Sequence, residues 1–163
     1  MNLDEQLSIK GKLTLIRRRG DTVTNIVEAD NVICSAGLSI LATAIAWTGI
    51  QDQATNLGLP VAGNYMTPLY GAIGNGAGAP SASDTQLFTE VSRQITSGGS
   101  GLSTAVIFQF FFPALQTATV VTEAGVFCIG TSVVNTGFML DHALVSDTIP
   151  AQETCTLQIT LTI

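Results

Sequence analysis

Apolar and polar positions alternate with a period of two over much of the chain. The alternation is cleanest at the end, where Cys155, Leu157, Ile159, Leu161 and Ile163 interleave with Thr154, Thr156, Gln158, Thr160 and Thr162. Side chains on a strand point to opposite faces in turn, so this pattern predicts a strand with one buried face and one polar face. Leu7 to Arg19 repeats it, with Leu7, Ile9, Leu13 and Leu15 on one face and Ser8, Lys10, Lys12 and Thr14 on the other. A turn at Gly20-Asp21 then leads into Thr22 to Ala29, which predicts a β-hairpin. Thr104 to Phe112 is apolar on both faces and predicts a central strand covered on both sides, ended by Pro113. Thr117 to Ile129 reads as a strand with a bulge near Gly125, and Phe138 to Val145 as another after a turn at Asn135 and Gly137.

The period changes between Ser35, a plausible N-cap, and Gly49, a plausible stop. The spacing predicts a helix over Ala36 to Trp47, apolar on most sides and so buried. Val32 to Ile50 carries no charge, but its helical part is too short, at about 1.5 Å per residue, to cross roughly 30 Å of hydrocarbon. No membrane span is expected, and the polar, charged N-terminus does not read as a signal peptide.

Between Pro68 and Gln94 a short apolar strand, Leu69 to Ile73, runs into the glycine-rich stretch Gly74-Asn75-Gly76-Ala77-Gly78. Phosphate-binding loops need a Gly-Lys-Ser/Thr or GxGxxG order opening a helix, and neither is present, so this stretch reads as scaffold. Ser83 to Gln86 has capping-box spacing and predicts a short helical turn carrying Leu87, Phe88 and Val91 onto the core. Ser97 to Gly101 reads as an exposed tip, and Gln51 to Thr67 as an irregular surface loop.

Charge sharpens the picture. Charged residues make up 11% of the chain, against about 25% in ordinary soluble domains, which favours a component that hides surface against other subunits. The net charge of -6 is uneven: residues 1–19 hold five basic groups against Asp4 and Glu5, while residues 20–163 hold ten carboxylates against Arg93. Lys10, Lys12, Arg17, Arg18 and Arg19 therefore read as a basic arm that docks on an acidic neighbour, and nucleic-acid binding is not expected of so acidic a body.

Candidate chemistry is sparse. Cys34, Cys128 and Cys155 have no paired spacing and read as buried, reduced thiols, with neither a disulfide framework nor a metal site expected from them and His142. Glu123 sits in an apolar run, and Arg93 is the cation expected to pair with it. Asp141 and His142 are adjacent on a strand and so face opposite ways, which does not suit a Ser-His-Asp triad. No catalytic or cofactor-binding constellation is spaced to demand proximity, so enzymatic activity is not expected.

A resemblance is carried by NVICSAGLSILA at Asn31 to Ala42, AIGNGAGAPSASDTQLFTEVSRQ at Ala72 to Gln94, VTEAGVF at Val121 to Phe127, and the run from Gly137 to the end. Over roughly residues 31–163 the chain resembles small β-rich bacteriophage virion proteins, a group that includes capsid cement or decoration proteins and tail or fibre components.

The resulting expectation is a mainly β protein: a β-sandwich or β-barrel-like body over residues 31–163, with one buried helix and an N-terminal β-ribbon arm over residues 1–30. The resemblance implies a non-enzymatic virion structural protein, first a capsid cement protein bound to the major capsid protein and forming homotrimers, assembled in the host cytoplasm. The alternatives are a tail, collar or fibre subunit, or a carbohydrate-binding module of a tail apparatus using Trp47, Tyr65 or Tyr70 as a stacking platform.

Overall fold

The computed structural model describes residues 9–48, 69–101 and 104–162, and for residues 43–48 the backbone. Residues Leu7, Ser8, Tyr65, the Gln51 to Thr67 loop and the Trp47 ring, all named above, lie outside the described set. The elements run β1 (Lys10–Arg19), β2 (Thr22–Ile33), α1 (Ser35–Thr48), β3 (Tyr70–Gly74), β4 (Glu90–Gly101), β5 (Ala105–Phe112), β6 (Thr119–Cys128), β7 (Phe138–Ile149) and β8 (Thr154–Thr162).

The strands close into one antiparallel barrel in the order β1-β2-β7-β6-β3-β4-β5-β8. Of the two β architectures expected, the barrel is the one formed. Period-two alternation fills its interior: Leu13 and Leu15 of β1, Phe110 and Phe112 of β5, Val121, Ala124 and Val126 of β6, and Cys155, Leu157, Ile159 and Leu161 of β8 form one buried cluster. Eight strands give an interior that side chains can fill, and burying such a cluster is the main driving force for closure.

The hairpin predicted from Leu7 to Ala29 is present, but it does not stand apart as an arm. β1 pairs with β2 from Gly11 to Arg19 and with β8 from Lys10 to Arg18, so it is a stave of the barrel with both edges satisfied. The alternation of Leu13 and Leu15 explains this, because a free ribbon would leave that face in water. Beyond β1, β2 meets its other neighbour through three register pairs: Asn31, Val32 and Ile33 against Ala143, His142 and Asp141.

Helix α1 spans the predicted residues and lies on the outside of β7, where a Cβ on Gly37 would come within 2.2 Å of the Leu140 Cα. Glycine is what permits that close approach. The opposite side is open, with Leu38 43% exposed, so the isolated chain does not bury the helix all round.

Four local expectations change. Residues 83–86 form no helix; the turn closes between Ser81 and Asp84, where the Ser81 N–H donates to Asp84 Oδ2 at 2.8 Å and the Asp84 N–H to the Ser81 carbonyl at 3.0 Å, and Leu87 reaches a buried position while Phe88 and Val91 stay exposed. The Ser97 to Gly101 tip is the end of β4, its glycines laddered onto β5 by backbone bonds that need no side chain. β5 is covered on one face only, since Phe110 and Phe112 are buried and Phe111 is exposed. The β6–β7 register shifts flank Gly125 on both sides instead of falling on it.

Candidate functional site

The basic residues of the hairpin are largely neutralised within the chain. Lys12 Nζ lies 2.7 Å from Glu28 Oε2 across the β1–β2 ladder. Arg17 reaches Asp147 Oδ2 with Nε at 2.9 Å and Glu153 Oε2 with Nη1 at 3.2 Å, and Nη1 also donates to the Thr148 carbonyl at 2.9 Å. Arg19 Nη2 sits 3.2 Å from Glu153 Oε1, and the Thr24 hydroxyl donates to Glu153 Oε2 at 2.8 Å. Among the described residues this leaves Lys10 and Arg18 as the exposed hairpin cations without an ion pair. Of the carboxylates that accept the others, Glu28 lies on the hairpin itself, whereas Asp147 of β7 and Glu153 of the turn before β8 are brought to it only by the fold.

The outer face of β8 and β5 carries no charge, and Thr14 and Ile16 of β1 continue it between Lys12 and Arg18. Ile16 stands between Ile26 of β2 and Thr156 of β8, and Thr156 pairs in turn with Phe111 of β5. Ile26 is 55% and Phe111 47% exposed. In the next row Gln158 lies between Thr14 and Gln109, whose amide donates to Gln158 Oε1 at 3.0 Å. The Thr face read from sequence is thus the outer surface, interrupted by large apolar side chains.

The expected Arg93–Glu123 pair is not formed. Arg93 binds Glu90 and donates from Nη1 to the Thr131 and Thr136 carbonyls, while its guanidinium carbon sits 4.7 Å from the Phe127 ring centre and 5.8 Å from that of Tyr70. Tyr70 therefore carries a cation on its ring. Glu123, fully buried, accepts backbone N–H groups from Gly76, Phe88 and Thr89, and His142 Nε2 lies 3.1 Å from it. A Cβ on Gly76 would fall 2.5 Å from Glu123 Oε1, so the glycine-rich stretch is shaped by close approach to a carboxylate of the chain's own.

Asp141 and His142 do face opposite ways. Asp141 accepts from the Val126 N–H at 2.8 Å and from Asn31 Nδ2 at 2.6 Å, and its burial pushes the carboxyl up to about 7. His142 instead has Asp84 at 2.7 Å from Nδ1, a partner 58 residues away that no spacing along the chain marks. Cys34, Cys128 and Cys155 are free and buried; burial first, then neighbouring carboxylates such as Asp141, pushes all three thiols up to about 12.

A pocket beside Ile73, Phe112 and Cys155 encloses about 30 Å³, room for about one water. A wider cleft of about 390 Å³ opens at the barrel end beside Ile9, Lys10, Asp30 and Asn31. Among the described residues no helix is long and apolar enough to cross a membrane. No protein-family model, curated protein or solved structure matches the chain.

Proposed function

We propose that the protein is a non-enzymatic structural subunit of a bacteriophage particle, a capsid cement or decoration protein that binds the major capsid protein and assembles as a homotrimer. The observation that carries this reading is the uncharged outer face of β8 and β5, continued by Thr14 and Ile16 of β1, with Ile26 and Phe111 exposed, in a chain whose charged residues are only 11%. Such a surface is stabilised by contact with other subunits, because removing it from water gains free energy in proportion to the apolar area covered. A neighbouring copy would also cover Leu38, completing the burial of α1 expected from its sequence.

Cement proteins act by adding contact area across a shell, which requires many weak contacts and no active site. Lys10 and Arg18, left free by the internal ion pairs, are the hairpin cations available to an acidic capsid surface.

The deciding experiment is the copy number in purified particles of the encoding phage, measured by mass spectrometry against the major capsid protein. A ratio near one per capsid subunit, or one trimer per local threefold, supports the cement role. A few to a few dozen copies would place the protein in the tail, collar or fibre, and absence from the particle would overturn the virion reading.

A further inference from the structure

The segment from Asn75 to Thr89 crosses the outside of the barrel and is held there by three ionisable side chains that the uncharged outer face does not use. Glu123 Oε1 accepts the N–H groups of Gly76 at 2.9 Å and Thr89 at 2.7 Å. Its Oε2 accepts the N–H of Phe88 at 2.9 Å and lies 3.1 Å from His142 Nε2. Four contacts fill the acceptor sites of one carboxylate, so the hydrogen between Nε2 and Oε2 is donated by the imidazole. On the other side of the ring, Nδ1 is 2.7 Å from Asp84 Oδ2, which also accepts from the Ser81 N–H. Two lone pairs do not face each other at that distance, so a second hydrogen lies there. The three groups together hold one proton more than a neutral imidazole and two carboxylates would.

The surroundings isolate this proton. His142 and Glu123 are fully buried, and the Phe88 ring packs against the imidazole at 5.2 Å between centres. On the same strand Asp141 turns away to Val126 and Asn31. From the β2–α1 junction Cys34 approaches the Ser81 carbonyl at 3.8 Å, and from β6 Cys128 is the other thiol near Asp141. No Lys or Arg pairs with Asp84 or Glu123 among the described residues.

We infer that Glu123, His142 and Asp84 form a proton-held latch that fastens residues 75–89 to the barrel, and that loss of the shared proton as pH rises frees the Asp84 end first. Glu123 keeps three backbone donors after that loss, whereas Asp84 keeps one and its side chain is already 15% exposed. The Asp84 end is tied to the helix, since the Ser35 N–H donates to the Ala82 carbonyl at 2.8 Å. Opening therefore loosens the start of α1 and uncovers the apolar cluster of Cys34, Ala72, Leu87, Phe127 and Met139.

The chain contains a single histidine, so imidazole ¹⁵N NMR reads this site without ambiguity. In the wild-type protein with the latch closed, both ring nitrogens are expected to carry hydrogens. Amide exchange in residues 79–85, corrected for its intrinsic pH dependence, should then rise about tenfold or more toward alkaline pH while β8 stays protected. In Asp84→Asn the amide can meet a neutral ring, so a ring protonated on Nε2 alone and loss of that pH dependence are expected. If Asp84→Asn loses β8 protection and so fails to fold, His142→Gln replaces it, with residues 79–85 expected to exchange fast at every pH. A wild-type ring that is singly protonated while residues 79–85 remain protected overturns the latch, as does a pH-dependent opening that survives unchanged in the substituted protein.

Discussion

Arg93 and Glu90 stand three residues apart on β4, yet their side chains meet, with Nε 2.5 Å from Oε1 and Nη2 2.7 Å from Oε2. On a regular strand such residues face opposite sides, but β4 slips register between Ser92 and Glu90, and the slip puts both on the outer face. Their side chains are 2% and 0% exposed. Arg93→Met should cost about 3–5 kcal/mol, because Glu90 would remain a buried charge without its cation. Urea denaturation measures the loss, and adding Glu90→Gln should recover part of it; a single-variant cost below about 1 kcal/mol would contradict the pairing.

The Arg17 network should weigh far more than the Lys12 pair. Arg17, Asp147 and Glu153 are at most 14% exposed, whereas Lys12 and Glu28 are more than half exposed. Arg17→Met is expected to cost about 3 kcal/mol. Lys12→Met should stay within about 0.5 kcal/mol. Thermal unfolding of the two variants side by side tests the difference.

Asp141 ties stability to pH with a definite sign. Its folded value, about 7, lies above the ordinary 3.8, chiefly because burial disfavours the charge, although Val126 and Asn31 partly offset this. The contribution is whole below about pH 4 and is lost as pH rises through about 7. Asp141→Asn keeps an acceptor for Val126 and cannot ionise. Between those pH values the stability difference should move steadily in the variant's favour, read from denaturation midpoints, and a flat difference would refute the assignment.

The three thiols should be silent in the folded protein. Burial and nearby carboxylates hold them up to about 12, so little thiolate exists near pH 8. A charged thiol reagent should label none of them until denaturant is added and then all three; rapid native labelling of Cys155 would mean that the barrel opens there.

The sequence made the barrel walls legible where one face is wet and one dry. Leu13, Leu15 and the Cys155 to Leu161 series were readable because burial alternates with the strand pleat. Helix α1 was readable from its end signals. The polar pairings were not, for two physical reasons. The Arg93–Glu90 pair depends on a register slip that inverts the local period, and the Asp84–His142–Glu123 chain joins groups 58 and 19 residues apart. The paired glycines of β4 were missed because a ladder of backbone bonds leaves no mark on side-chain pattern.

The three-pair seam between β2 and β7 has a consequence in time. Most other neighbouring staves are joined by eight or nine register pairs or by short connections, whereas this seam ties Asn31 to Asp141, 110 residues further on. A short ladder closing so long a loop gains little until the remaining staves are in place, so it forms after the folding barrier. Weakening it, as with Val32→Ala, should quicken unfolding and leave the folding rate nearly unchanged. The seam thereby sets how long a folded barrel lasts, more than how fast one is made.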